Sequence, residues 1–259
     1  MGIQSIETYP IILRYREPFI IAPSTTFESH NIIVKVRTDF EVVGIGESSP
    51  SKRVTHETPQ TVIKTLDKIA PHLVGMCPLR IEQISEIMDE LVAENPSVKA
   101  AIDMALHDIL GKAALKPLFK LLGGFREDIL TDLTLSIKEP KEMAKDAVKA
   151  VKRGFKALKV KVGVNSAEDF ERIRKIREAV GSEIAIRIDA NQGWTVKEAV
   201  AILNKLEPFK IEFVEQPVKA EDIQGLAEIR EASQIPVMAD ESAHTPEDAL
   251  NLIKEKAVD

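Results

Sequence analysis

Leu158-Lys159-Val160-Lys161-Val162-Gly163 is an apolar run broken by two lysines two residues apart. Alternate side chains of a strand share a face, so both ammonium groups point the same way. Phe155 to Val162 is too apolar for a solvent-facing edge, so two cations on one face of a buried strand call for counter-charge. Three later apolar runs end in acids: Ile184-Ala185-Ile186-Arg187-Ile188-Asp189, Ile211-Glu212-Phe213-Val214-Glu215 and Val237-Met238-Ala239-Asp240. A lysine pair followed by three strand-terminal carboxylates is the layout of an active site.

Working outward, strands are expected to begin near Thr131, Ala157, Ile184, Ile211 and Val237. Helices are expected over 140–153, 167–180, 195–206, 221–233 and 245–256. Starts recur about every 27 residues, the rhythm of βα units on a parallel sheet. A doubly wound sheet and a (β/α) barrel both fit. No G-x-G-x-x-G follows a strand, and the functional-looking residues close four successive strands, which favours the barrel and its shared mouth.

Upstream the pattern differs. Ile3 to Leu13, Asn31 to Thr38 and Val42 to Glu47 read as strands, and 59–73, 79–93 and 97–115 as amphipathic helices. Strands and helices in separate blocks indicate an α+β module. Two polar, proline-bearing stretches, 18–29 and 48–56, read as loops able to move. Alanines at 100, 101 and 105 imply close helix packing, and Gly123-Gly124 is a natural stop. The expected domains are therefore 1–124, α+β, and 125–259, α/β.

The chain has 259 residues, 44% of them hydrophobic, and a net charge of -6 with acids and bases interspersed. Nothing in that balance suggests a nucleic-acid or membrane surface. Cys77 is the only cysteine, so no intrachain disulfide forms, which fits a reducing compartment. No apolar run approaches the roughly 20 residues of a membrane helix, and the N-terminus reads neither as a signal peptide nor as a myristoylation site. The expectation is a soluble cytoplasmic protein.

In a barrel, Asp189, Glu215 and Asp240 converge on one side of the mouth. Three hard oxygen ligands without His or Cys suit Mg²⁺ or Mn²⁺. Helix capping or plain hydration would explain a single such acid more readily than three in register. Cations nearby, a bound metal included, would depress one lysine enough to make it a base near neutral pH, while the other holds a developing oxyanion. Removal of a proton α to a carboxylate needs this combination. His30, His56, His72, His107 and His244 show no ligand spacing.

With these motifs in place, the chain resembles the enolase superfamily, in its muconate-lactonizing subgroup. The resemblance rests on Lys159-Val160-Lys161, Asp189-Ala190-Asn191, Glu215-Gln216-Pro217 and Asp240-Glu241-Ser242. It is strengthened by Ala105-Leu106-His107-Asp108, Gly111-Lys112 and Leu121-Leu122-Gly123-Gly124. It implies an N-terminal capping domain on a modified (β/α) barrel and Mg²⁺, or Mn²⁺, held by Asp189, Glu215 and Asp240. Lys161 would remove the α-proton of a carboxylate substrate with Lys159 assisting, and the metal would stabilise the resulting enolate. Within the subgroup the wording is most similar to dipeptide epimerases of the L-Ala-D/L-Glu type. The alternatives are muconate cycloisomerase, o-succinylbenzoate synthase and N-acylamino acid racemase. Further rivals are a dehydratase and an inactive remnant or binding protein that keeps the acids for a structural ion.

By the same analogy 18–29 and 48–56 would close over a small carboxylate or dipeptide substrate. Thr134 would face the mouth, and Asn191 would touch substrate. Arg53 would pair with a substrate carboxylate, unless it is simply a solvated loop residue. A homo-oligomer is expected. Where the chain departs from the pattern, about five βα units stand against a barrel's eight, so the domain reads as incomplete at its C-terminal end. The second base of a two-base epimerase, a lysine on a sixth strand, has no counterpart. The same holds for an eighth-strand acidic motif that holds the substrate's amino group.

Overall fold

The computed structural model describes residues 1–22 and 24–259. It divides into two compact units: residues 1–16 with 27–127, and residues 17–26 with 128–259.

The first unit carries a three-stranded sheet in the order β1 (Ile3–Ile21), β2 (Ser24–Thr38), β3 (Val43–Ser48). β2 and β3 pair antiparallel from Ile32↔Ser48 to Arg37↔Val43. Alternation decides which face is buried: Ile32, Val34 and Val36 lie inward among α1 (Pro59–Leu73), α2 (Ile81–Leu91) and α3 (Pro96–Ala113). α1 starts with Thr58 and Thr61 in a reciprocal capping box and Pro59 in the first turn, where a missing N–H costs nothing. β3 lies against α3 with no side chain between them. A Cβ on Gly44 would sit 2.0 Å from the Ala105 carbonyl oxygen, and one on Gly46 would sit 1.9 Å from that of Ala101. Small residues on both elements are the condition of that approach, as the alanine run implied.

The loop expected over 18–29 is corrected by the structure. β1 runs on to Ile21 and β2 begins at Ser24, leaving a hairpin tip whose Pro23 lies outside the described residues. Pro18 misled because proline interrupts a central strand. β1 is the edge of its sheet, and there a missing donor is tolerated. The tip is tied within the second unit: Ile20 N–H donates to Ser136 Oγ at 2.5 Å, and Ile137 N–H to the Ile20 carbonyl at 3.0 Å. Ser48 still belongs to β3 and 49–56 is loop and turn, as expected, and a four-residue helix α4 (Leu118–Leu121), too short to leave a periodicity, follows α3.

The second unit is a five-stranded parallel sheet of β4 (Asp132–Leu135), β5 (Ala157–Lys161), β6 (Ala185–Asp189), β7 (Ile211–Glu215) and β8 (Val237–Met238). Its spatial order is the chain order. That order excludes a doubly wound sheet, whose strand order reverses at a switch point, and is the order of an enolase-type barrel. The connecting helices are α5 (Pro140–Lys152), α6 (Ser166–Val180), α7 (Val196–Leu206), α8 (Ile223–Ala232) and, after β8, α9 (Pro246–Lys254). Leu158, Val160, Ile186, Ile188 and Val214 form the core with Met143, Ile173, Ile176, Leu203, Leu206, Leu226 and Ile229 of those helices. Period two then assigns the other face to Lys159, Lys161, Arg187, Asp189, Phe213 and Glu215. The helix-packed face is apolar and the opposite face is charged.

Candidate active site

Strand register lines up the charges. Lys161 is level with Asp189, Asp189 with Glu215, and Glu215 with Met238. Lys161 Nζ donates to Asp189 Oδ2 at 2.5 Å and to Asn191 Oδ1 at 2.8 Å. Lys159, one pleat lower, bonds Glu215 at 2.6 Å and Asp189 Oδ2 at 2.9 Å. Asp189 is fully buried, Lys161 8% exposed and Glu215 5% exposed, so these charges meet one another rather than water. Asp240 is exposed and lies two residues past β8, in a turn rather than on the strand.

That turn is shaped by a residue the sequence did not mark. Gln216, fully buried and with φ 38°, accepts the N–H groups of Asp240 and Ser242 on one amide oxygen, at 2.9 and 3.1 Å. Its nitrogen donates to Ser242 Oγ at 2.8 Å and to the Val218 carbonyl at 3.0 Å. The second such residue is Glu241, which accepts from Asn191 Nδ2 at 3.3 Å and thereby turns the Asn191 oxygen toward Lys161. The third is Asp169 of α6, fully buried beneath the strand ends. Side-chain bonds across loops leave no periodicity; only the position of Gln216 and Glu241 beside expected ligands hinted at them.

The electrostatics follow from this packing. Burial pushes Glu215 up to about 7, against the bond from Lys159 and with the help of the neighbouring Asp189 charge. Burial acts the same way on Asp189, but the charges and bonds of Lys161 and Lys159 outweigh it and hold that carboxyl below the usual range. Burial disfavours the charged form of Lys159, yet its bonds to Glu215 and Asp189 carry it above the ordinary lysine range. The depressed lysine expected from neighbouring cations is therefore not Lys159 in this state, because carboxylates crowd it more closely than cations do.

Asp189, Glu215 and Asp240 each offer an oxygen within 4.8 Å of the others, and among the described residues no His or Cys joins them. Lys159 pairs with Asp189 and Glu215 and Lys161 with Asp189, and Asp240 adds a further hard oxygen donor to the cluster. The donor set fits Mg²⁺.

The remaining candidates divide. Thr134 is level with Lys159 across the β4–β5 pair, one pleat below the carboxylates. Asn191 is committed to Lys161 and Glu241. Arg53 is an exposed turn residue of the first unit. His30 bonds Glu28 and His107 bonds Asp103, neither near an acidic cluster of this kind.

Comparison with known proteins places this geometry. Residues 6–123 match the family described as Mandelate racemase / muconate lactonizing enzyme, N-terminal domain, and residues 142–259 match Enolase C-terminal domain-like. The structure is similar to that of a dipeptide epimerase from Enterococcus faecalis complexed with Mg and the dipeptide L-Leu-L-Tyr. The TM-score is 0.97 at 41% identity, over 100% of this chain and 73% of that one. An L-Ala-D/L-Glu epimerase of Clostridium acetobutylicum is 42% identical over 94% of this chain and 69% of its own length. An N-succinyl-L-Arg/Lys racemase of Bacillus cereus is 38% identical over 100% and 71%. The chain belongs to the mandelate racemase/muconate lactonizing enzyme family of the enolase superfamily.

Proposed function

We propose that the protein is an isomerase that removes the α-proton of a dipeptide carboxylate, with L-Ala-L-Glu the first substrate to test. The observation that carries this reading is the single cluster of Lys161, Lys159, Asp189, Glu215 and Asp240. The names of the Enterococcus and Clostridium relatives support the substrate class.

Asp189, Glu215 and Asp240 would hold Mg²⁺, with Mn²⁺ the alternative ion. Bound there, the ion would supply positive charge at the substrate's carboxylate oxygens. Lys161 accepts the α-proton on Nζ as a free amine. The ammonium it becomes is then held by Asn191 Oδ1, which already faces it at 2.8 Å. Lys159 keeps its charge on the same strand face, where it offsets the negative charge that builds on the substrate as the proton leaves.

The test is solvent-deuterium incorporation at the α-carbon of L-Ala-L-Glu with Mg²⁺, followed by NMR on the wild type and on Lys161→Ala. The expected outcome is exchange in the wild type and its loss in the variant. Exchange that survives in Lys161→Ala would remove Lys161 as the base. N-succinyl-L-arginine is run alongside, since the Bacillus cereus relative supports an N-acylated amino acid as the second substrate class.

A further inference from the structure

We propose that Asp169 is a positioning residue for the lysine base: its buried carboxylate clamps the end of β5 to the loop after β6 and so sets Lys161 against Asp189 and Asn191. The inference rests on the proposed role of Lys161.

Asp169 sits in the first turn of α6, a helix capped by Asn165, and is fully buried. Its Oδ2 accepts the Gly163 N–H at 2.9 Å and Trp194 Nε1–H at 3.2 Å, while its Oδ1 accepts from Arg172 at 2.7 Å. Gly163 is two residues past Lys161, and Trp194 is three past Asn191. One oxygen therefore ties together the two segments that carry the base and its partners.

The backbones of those segments are already in contact. Gly163 has φ +98°, and a Cβ there would lie 2.2 Å from the Ala190 carbonyl oxygen; one on Gly193 would lie 2.1 Å from that of Gly163. With no side chain between the loops, their spacing depends on what binds both. Arg172, itself 4% exposed, fixes the clamp from below by donating Nε–H to the Lys138 carbonyl at 3.0 Å. A buried carboxylate is a costly way to fill space, and well-packed apolar residues often replace buried ion pairs without loss. Here its donors outside α6 are groups beside the base and beside its partners.

The experiment compares wild type, Asp169→Asn and Trp194→Phe at saturating Mg²⁺, with kcat and KM read from α-deuterium exchange of L-Ala-L-Glu. An amide keeps the shape of Asp169 but replaces an acceptor oxygen with a donor, so it cannot serve Gly163, Trp194 and Arg172 together. Asp169→Asn is expected to lower kcat roughly tenfold, as loss of a group that orients a reacting side chain does, with KM within about twofold. Trp194→Phe keeps an aromatic ring, though a smaller one, and loses one donor, and is expected to lower kcat by a smaller factor with KM likewise unmoved. Trp194 is the only tryptophan, so its emission reports independently whether the clamp has opened in Asp169→Asn. A folded Asp169→Asn with shifted emission but kcat within about twofold of wild type would overturn the proposal. If Asp169→Asn does not fold, Trp194→Phe decides by kcat alone: a folded variant within about twofold of wild type overturns the proposal. If the wild type shows no exchange, the functional reading fails, and Mg²⁺ affinity by calorimetry decides the clamp. Roughly tenfold weaker binding in Asp169→Asn supports it; unchanged affinity, or no Mg²⁺ binding at all, overturns it.

Discussion

Glu215 is the residue at which burial and charge pull apart most openly, and it yields a prediction with a definite sign. Its folded-state pKa of about 7 lies above the ordinary 4.5. Between those values the folded protein binds a proton that the unfolded chain does not. Metal-free protein should therefore lose stability as pH rises through that window, the part owed to Glu215 being fully present only below it. The check is urea denaturation in chelator from about pH 5 to about pH 8, comparing wild type with Glu215→Gln, which should lack that component of the slope. Identical slopes would refute it. Mg²⁺ competes for the same oxygen, so its affinity should rise over the same range. At this scale the sequence was legible wherever a residue's role follows from position along a strand. Lys159 and Lys161 share a face because they are two apart, and Asp189 and Glu215 are level because each closes a strand. Gln216 and Asp169 act through bonds across loops, and no spacing rule encodes those.

Among the elements, β3 and α3 make the tightest union. A Cβ on Gly46 would lie 1.9 Å from the backbone oxygen of Ala101, and that atom cannot rotate away. Gly46→Ala should destabilise the first unit by about 1–3 kcal/mol, the usual cost of overpacking, or prevent its folding. Thermal melting and amide exchange over 96–113 would show it, and a melting temperature equal to wild type would count against the close approach. The alanines at 100, 101 and 105 made close packing of α3 legible in advance, but not that Gly44 and Gly46 of β3 are what it packs against. The helix starts expected at 59, 167, 195 and 245 lie within a residue of those observed, where Thr58, Asn165, Thr195 and Thr245 cap the helices locally. The hairpin over 17–26 was not legible. Pro18 reads as a break unless the strand is known to be an edge, and edge position depends on which strands are neighbours.

For the whole molecule the proposed chemistry turns on which side of a substrate the β5 lysines would reach. Among the described residues, the ammonium groups bonded to the carboxylate cluster belong to Lys159 and Lys161, both on β5 and on one face of it. A base there can take a proton from one face of an α-carbon and return one to that same face. Inverting the centre requires a donor on the opposite face. The ammonium formed at Lys161 carries one substrate proton among three, and exchange with D₂O before return gives a deuterated substrate of unchanged configuration. For the β5 lysines acting alone we predict deuterium incorporation into L-Ala-L-Glu with retention at the glutamate α-carbon. NMR gives the isotope content and chiral chromatography the stereochemistry of the same sample. An L-Ala-D-Glu product growing in step with deuterium would show that a donor reaches the second face, and the β5 lysines would not then account for the whole reaction.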